Sequence, residues 1–293
     1  MKKLITVCVL VILFSAVYAE AGTWTTFDMP GAANTFAYGN NGQQIAGYYN
    51  TAQSLLTDHG FLYDGSTWIT LNAPGASSTR FIGMDDDNIV GYYNNTDGTR
   101  THGLLYDGST WATLDAPGAN RTYCYGIDGT NIVGLYIGSG IGHGFLYNGS
   151  SWTNIDVPDA TGTLAIDIDG EYIVGRCYKN GALRGFLYNG SNWSILDPPG
   201  SSGTLATGID GHNIVGYFYD NAGAHGFLYD GFRWIILDMP GASETYVISI
   251  EGQSIVGYYK DSSGNHGFIY TIPEPATLAM LGLGGLLLRR KRS

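Results

Sequence analysis

Four kinds of short run, each apolar, β-branched or aromatic, follow one another in fixed order from Trp24 to Tyr270 and then begin again. Run a is Gly-Phe-Leu-Tyr, as at residues 226–229, and run b is Trp-x-x-Leu-Asp, as at 234–238. Run c is Thr-x-x-x-Gly, as at 122–126, and run d is Asn-Ile-Val-Gly-Tyr, as at 213–217. The tryptophans of run b set the period: Trp24, Trp68, Trp111, Trp152, Trp193 and Trp234 stand 44, 43, 41, 41 and 41 residues apart, the self-similarity expected of a repeat architecture. Asp-Gly or Asn-Gly separates a from b, as at Asp64-Gly65 and Asn148-Gly149, residues that accept the positive φ of a tight hairpin. Pro-Gly turns b into c, as at Pro74-Gly75 and Pro117-Gly118, with Pro presetting the turn and Gly completing it.

These connections are too short for helices, and no window keeps a 3.6-residue apolar period. The pattern predicts an all-β fold, a six-bladed β-propeller of four-stranded antiparallel blades. The repeats open on a b run at Trp24 that lacks its a partner and close on an a run, 266–270, that lacks its b partner. Pairing of these N- and C-terminal strands would close the ring. A β-solenoid is the alternative that repetition alone leaves open.

The flanks differ from the repeats. Residues 1–19 carry Lys2 and Lys3, an apolar run over 4–14 and small residues up to Val17-Tyr18-Ala19, the anatomy of a secretory signal peptide; a cut after Ala21 fits as well. Cys8 falls inside that apolar run, without the context of a lipoprotein site. Residues 22–271 form the six-repeat domain. Residues 272–293 hold Pro273-Glu274-Pro275, a 13-residue apolar stretch over 276–288, and Arg289-Arg290-Lys291-Arg292. That stretch is shorter than the roughly 20 residues of a full bilayer crossing, while a basic end favours the cytoplasmic side. Transient membrane contact through the tail is the expectation.

This three-part tail resembles the PEP-CTERM sorting signal. The resemblance implies export, processing near Pro273, Glu274 and Pro275 by an exosortase-type enzyme, and delivery to the cell envelope or extracellular matrix of a Gram-negative bacterium. The repeats are similar to the HAF family of extracellular repeats, through Ile214-Val215-Gly216-Tyr217 followed by His225-Gly226-Phe227-Leu228, with Gly where that family has Ala. This second resemblance implies a location rather than an activity.

The formal net charge is −11. Without Lys2, Lys3 and the four basic tail residues, 8 of 14 basic residues remain, against 24 of 25 acids once Glu274 is lost, so the mature chain after a cut at Ala19 stands near −16. Such a surface repels phosphate backbones and anionic membranes, and nucleic acid is excluded as a partner. Only 13% of residues are charged, and the 22 tyrosines share the surface work with an apolar ring and a polar tip. Cys124 and Cys177, on a c run and a d run, are not expected to bridge, because a core of this size needs no disulfide.

Alternating strands put the b to c turns and d to a loops on one side. There lie His59, His102, His143, Arg184, His225 and His266 ahead of run a, and Asp28, Asn72, Asp115, Asp156, Asp197 and Asp238 at the end of run b. WD-repeat propellers set a His against an Asp at similar spacing, which implies buried structural pairs here: His102 with Asp115, His143 with Asp156, Arg184 with Asp197, His225 with Asp238, and His266 with Asp28 across the closure. Each blade offers two such ligands where zinc needs three or four, so no metal site is expected. On the other side Asn41, Asp85, Asp128, Asp169, Asp210 and Glu251 mark the c to d turns. Asp before Gly bonds its own turn backbone, and a ring collecting calcium or a cationic glycan is the rival reading. The densest acid clusters, Asp85-Asp86-Asp87 and Asp167-Ile168-Asp169, lack calcium-loop spacing.

No nucleophile elbow, phosphate loop, H-E-x-x-H or dinucleotide fingerprint occurs. The expectation is therefore no catalytic residue and no cofactor, with the ligand-binding residues unassigned. The features support a non-enzymatic exported propeller of the surface or extracellular matrix, presenting tyrosine-rich turns to an extracellular polysaccharide or a surface protein. An envelope-polysaccharide hydrolase or lyase acting at the central channel, and a purely architectural matrix protein, are the alternatives. A functional pocket would reveal itself by polar residues in one repeat that the other copies lack.

Overall fold

The computed structural model describes residues 22–138 and 140–273. Residues 1–19 with the expected signal peptide, Glu274, Pro275 and the rest of the tail lie outside the described residues. The compact unit over Thr23–Ile272 contains strands and no helix among the described residues, so none of these residues forms a helix long and apolar enough to cross a membrane.

Strand β1 (Thr23–Phe27) comes first, followed by meanders that each run c, d, a, b. They are β2 (Asn34–Asn40), β3 (Ile45–Thr51), β4 (Ser54–Tyr63) and β5 (Trp68–Leu71); then β6 (Ala76–Asp85), β7 (Asn88–Asn95), β8 (Thr101–Tyr106) and β9 (Trp111–Leu114). Next are β10 (Arg121–Asp128), β11 (Asn131–Ile137), β12 (Gly142–Tyr147) and β13 (Trp152–Asn154), then β14 (Thr163–Asp169), β15 (Tyr172–Lys179), β16 (Ala182–Tyr188) and β17 (Trp193–Leu196). The last two groups are β18 (Gly203–Asp210), β19 (Asn213–Tyr219), β20 (Ala224–Tyr229) and β21 (Trp234–Leu237), and β22 (Glu244–Glu251), β23 (Ser254–Lys260) and β24 (Asn265–Thr271).

Four of these groups are separate four-stranded antiparallel sheets, and β6–β9 joins β10–β13 in an eight-stranded sheet through one parallel bridge, Arg121 to Thr101. No sheet closes on itself among the described residues. The orphan ends do meet: β1 lies antiparallel on β24, with Trp24 opposite Tyr270 and Phe27 opposite Gly267. The c strands contact their successors in order from β2 through β6, β10, β14 and β18 to β22, and β22 contacts β2.

The Asp-Gly and Asn-Gly turns take the backbone the sequence suggests, with Gly65 at φ 90° and Gly149 at φ 86°. The Asp or Asn side chain holds the turn, as where Asp64 accepts from the N–H of Thr67 at 2.7 Å. The tyrosine closing run a caps the same turn, as where the Tyr147 hydroxyl donates to the Gly149 carbonyl at 2.8 Å, while its ring packs 4.7 Å from Trp152.

Hydrophobic clusters fill the spaces between consecutive sheets. One joins Val174 of β15 and Leu196 of β17 to Ala206, Ile209, Phe218 and Phe227 of the next sheet. Phe61, Phe145, Phe186, Phe227 and Phe268, one to a repeat, are essentially inaccessible to solvent, and burying each such ring stabilises the fold by roughly 1.5–3 kcal/mol. Cys124 and Cys177 are buried free thiols on β10 and β15.

One irregularity recurs in every c strand. The ladder to the d strand skips one residue, at Tyr38, Ile82, Tyr125, Ile166, Thr207 and Ile248. A β-bulge of this kind re-aims the extra side chain, and here all six line one central cavity.

Candidate functional site

The pairs expected at the b to c turns can be read directly. His Nδ1 lies 2.8 Å from Asp Oδ2 in His102–Asp115, His143–Asp156, His225–Asp238 and His266–Asp28, and Arg184 donates to Asp197 at 2.6 Å. In the remaining copy Asn72 stands 3.2 Å from His59. The pairs are not buried, which corrects the sequence reading. The carboxylates of Asp115, Asp238 and Asp28 keep 40–50% of their side-chain surface, because the b strand is the outermost of its sheet. His225 has a second carboxylate, Asp220, at 3.2 Å. The hydrogen bond to Asp238, then the charges of Asp238 and Asp220, raise its pKa against the opposing effect of burial.

A raised histidine pKa contributes stability below the unfolded value of 6.5, and that contribution disappears as pH rises through the folded value. Exposure limits it to about 0.2–1 kcal/mol. His225→Gln should therefore lower the urea midpoint slightly at pH 5.5 and leave it unchanged at pH 8.5; equal losses at both pH values would show that charge is not involved.

The acids at the c to d turns form a second set. The N–H groups of Gly129, Gly170, Gly211 and Gly252 donate at 2.7 Å to Asp85, Asp128, Asp169 and Asp210 respectively. Each acid bonds the c to d turn of the next repeat rather than its own, because the c strands crowd together and bring that donor nearest. Asn41 follows the same direction, donating to the Asp86 carbonyl at 2.8 Å. Burial and the neighbouring acids Asp210, Asp85, Asp169 and Asp86 raise the pKa of Glu251. Among the described residues no group of three His, Cys, Asp or Glu side chains is placed to hold a metal ion.

Between these two ends the c and d strands line a cavity of about 660 Å³. Its lining includes Met84, Ile127, Ile168, Ile209 and Ile250, each followed in the chain by an acid of the ring that lines the same cavity. Beyond the bulges, aromatic side chains of adjacent sheets pack on one another: Phe36 on Tyr258 at 5.0 Å, Tyr123 on Tyr92 at 4.9 Å, Tyr246 on Tyr217 at 5.0 Å. Arg80 joins them, 4.8 Å above the Tyr48 ring and bonded to the buried Asp58 at 2.7 Å. The c strands β14 and β18 supply Leu164 and Leu205 at this level. These residues lack the rings that fill the space elsewhere, and both line the cavity with Arg176, Tyr178, Tyr217 and Tyr219. The tyrosines expected on turns thus divide between turn caps and this inner wall. Burial first of all raises the pKa values of Tyr38, Tyr125 and Tyr217, so these phenols are neutral hydrogen-bonding groups.

Two charged residues that line the cavity break the repeat, and both belong to the sheet β14–β17. After the bulge the other c strands carry Gly39, Gly83, Gly126, Gly208 and Ser249, where consecutive strands approach closely; a Cβ on Gly126 would come within 2.7 Å of Asp167 Cα. The β14 strand has Asp167 instead. It keeps some surface toward the cavity but is enclosed by protein, and this burial pushes its pKa up to about 7 against the stabilising N–H groups of Ile209 and Ile168. The N–H of Ile209 donates to it at 2.9 Å. Arg176 stands where the other d strands have Tyr48, Tyr92, Leu135, Tyr217 and Tyr258. Sequence reading had singled out Asp167-Ile168-Asp169 only as an acid cluster. Aligning the copies would have exposed both departures, Asp for Gly and Arg for Tyr, but not that they face one space.

Comparison with known proteins bears on the carboxyl end and on the fold. Residues 271–292 match the model of the PEP-CTERM protein-sorting motif. The chain carries a PEP-CTERM sorting signal. Such a signal marks an exported protein of the cell envelope or extracellular space and is processed by exosortase. No curated protein matches the sequence.

Among solved structures, TolB from Acinetobacter baumannii superimposes with a TM-score of 0.56 at 15% identity, over 79% of this chain and 64% of TolB. The β-propeller domain of the trilobed protease from Pyrococcus furiosus, described as having an open velcro topology, gives 0.51 at 10% identity over 86% and 94% of the two chains. An acylaminoacyl peptidase from Pyrococcus horikoshii gives 0.53 at 12% identity over 83% and 45%. At these identities the likeness concerns fold alone. The PEP-CTERM chain has a β-propeller-like architecture.

Proposed function

We propose that this PEP-CTERM protein is a six-bladed β-propeller, closed by β1 on β24, that binds an extracellular saccharide in its central cavity without transforming it. A signal peptide over 1–19 directs export, the tail over 272–293 makes transient membrane contact and is processed by an exosortase-type enzyme, and the domain over 22–271, with its HAF-like repeats, remains in the envelope or matrix. The observation that carries the binding reading is the cavity itself. It is large enough for a few sugar rings, it is lined by aromatic and polar side chains as small-ligand sites are, and the two charged lining residues that depart from the repeat, Asp167 and Arg176, come from one sheet. Tyrosine faces stack on sugar rings, and phenolic hydroxyls meet sugar hydroxyls. The site thus lies on the inner strands, not on the turns.

The test is retention of the purified chain on envelope polysaccharide and on a glycan array, compared with Tyr217→Ala. Loss of one stacking tyrosine should weaken saccharide binding about tenfold, in keeping with the weight of aromatic anchors in binding sites. Absence of saccharide binding by the unaltered chain overturns the proposal. One observation favours a second reading: a carboxyl with its pKa near 7 is suited to general acid–base work. Turnover of the bound polysaccharide that disappears in Asp167→Asn would establish that reading in place of simple binding.

A further inference from the structure

We infer that the saccharide bound in the cavity carries a carboxylate, and that Arg176 is the residue that recognises it. The inference rests on the saccharide reading given above and goes further by assigning the chemical class of the ligand. It begins with a contrast among the arginines. Arg80, Arg184 and Arg233 each sit on a carboxylate, at 2.6, 2.6 and 3.0 Å. Arg100, Arg121 and Arg176 have no such partner among the described residues, and of these Arg176 is the one that borders the central cavity, its guanidinium 5.7 Å from the Tyr178 ring centre.

Nothing in the packing calls for an arginine at this position. Tyrosine fills it in four copies and leucine in another, and the opposite residue on the c strand is Leu164, which offers no acceptor side chain. A guanidinium presents a planar fork of donors that matches a carboxylate bidentately, and one directed into an aromatic-lined space is positioned for an acidic group on a ring that stacks beside it. Tyr217 and Tyr219 border the same space, with their ring centres 5.7 Å apart.

The charge of the domain narrows the class. A mature chain near −16 repels a polyanion, whereas screening over about 8 Å at physiological salt confines that repulsion to nearby groups. The acid ring stands at the c to d turns, whereas Arg176 lies four strand residues beyond Tyr172, the partner of Asp169, roughly 13 Å along the strand and so outside that screening length. The preferred ligand is therefore a mainly neutral chain bearing one acidic sugar, rather than a uniformly acidic polymer.

Calorimetry on the purified full chain tests this with a glucose oligosaccharide ending in glucuronate, the same oligosaccharide without the acid, and a singly sulfated form. The glucuronate form should bind at least about tenfold more tightly than the neutral one, the difference expected of one charge-assisted pair. Arg176→Gln should abolish that preference, so that within the variant the acidic and neutral forms bind alike, and Arg176→Tyr, which restores the residue of the other copies, should do the same with an undiminished Tm. Equal affinity for the acidic and neutral forms, or a preference that survives Arg176→Gln, overturns the inference while leaving the saccharide reading intact. Stronger binding of the sulfated form overturns the choice of a carboxylate. If no saccharide binds, both proposals fall.

Discussion

Chains carrying Trp24→Ala and Phe27→Ala together should lose most of their folding stability. Phe27 is 8% exposed and packs with Phe61, Ala37 and Val256, residues of the sheets on either side of the junction. Trp24 lies 5.0 Å from Phe268 and 4.7 Å from Tyr270. Truncating a buried aromatic residue costs about 3–5 kcal/mol, and that loss at Phe27 added to a smaller one at the half-buried Trp24 reaches the lower part of the 5–15 kcal/mol that keeps a typical domain folded. The strand pairing with β24 would loosen with its anchors, leaving a bare edge. Urea unfolding followed by the remaining tryptophans should show a midpoint far below that of the unaltered chain. Ile236→Ala, on the outer strand β21 with the side chain half exposed, should move it little. A double variant as stable as this control would show that β1 contributes nothing to the fold.

The second large effect is expected from a single methyl group. A Cβ at Gly216 would overlap the carbonyl oxygen of Leu205 and come within 2.8 Å of Phe227 Cζ. The equivalent glycines, Gly47, Gly134, Gly175 and Gly257, face a c-strand carbonyl and a phenylalanine ring in the same way. One obstacle is backbone, so rotamer adjustment cannot relieve the clash and the two strands must separate. Gly216→Ala should cost about 3 kcal/mol, the upper end of typical overpacking, which for a domain of this size lowers Tm by roughly 6–12 °C. Gly231→Ala provides the contrast: that glycine has φ 87° and nothing within 4 Å, so its cost is the left-handed backbone alone, about 1–2 kcal/mol. Calorimetry giving the larger loss at Gly231 would refute the packing account.

The same glycines show why parts of the molecule were legible in the chain and others were not. Repetition of Ile-Val-Gly five times, with Ile-Ala-Gly at 45–47, declared that glycine was required there, and the Asp-Gly and Pro-Gly turns declared where strands end. The 13-residue separation of His102 from Asp115 or His225 from Asp238 sufficed to propose them as neighbours, because hairpin register fixes which residues face each other across a to b. The bulges could not be read. A one-residue slip in the ladder leaves no mark on composition, and Tyr38, Ile82 and Thr207 differ too much in type to announce a common role.

By itself, the sequence determined the strand content, the order of the strands within each repeat, the sorting signal at the carboxyl end and the acidic balance. All of these depend on local periodicity, turn chemistry or simple counting, which act over a few residues. Which strand lies innermost, that Asp85 bonds the turn of the following repeat, and that Asp167 and Arg176 share one cavity with Tyr217 were decided by tertiary structure. Those relations join residues about 40 positions apart, and they exist only once burial of the phenylalanine layer has drawn successive sheets face to face.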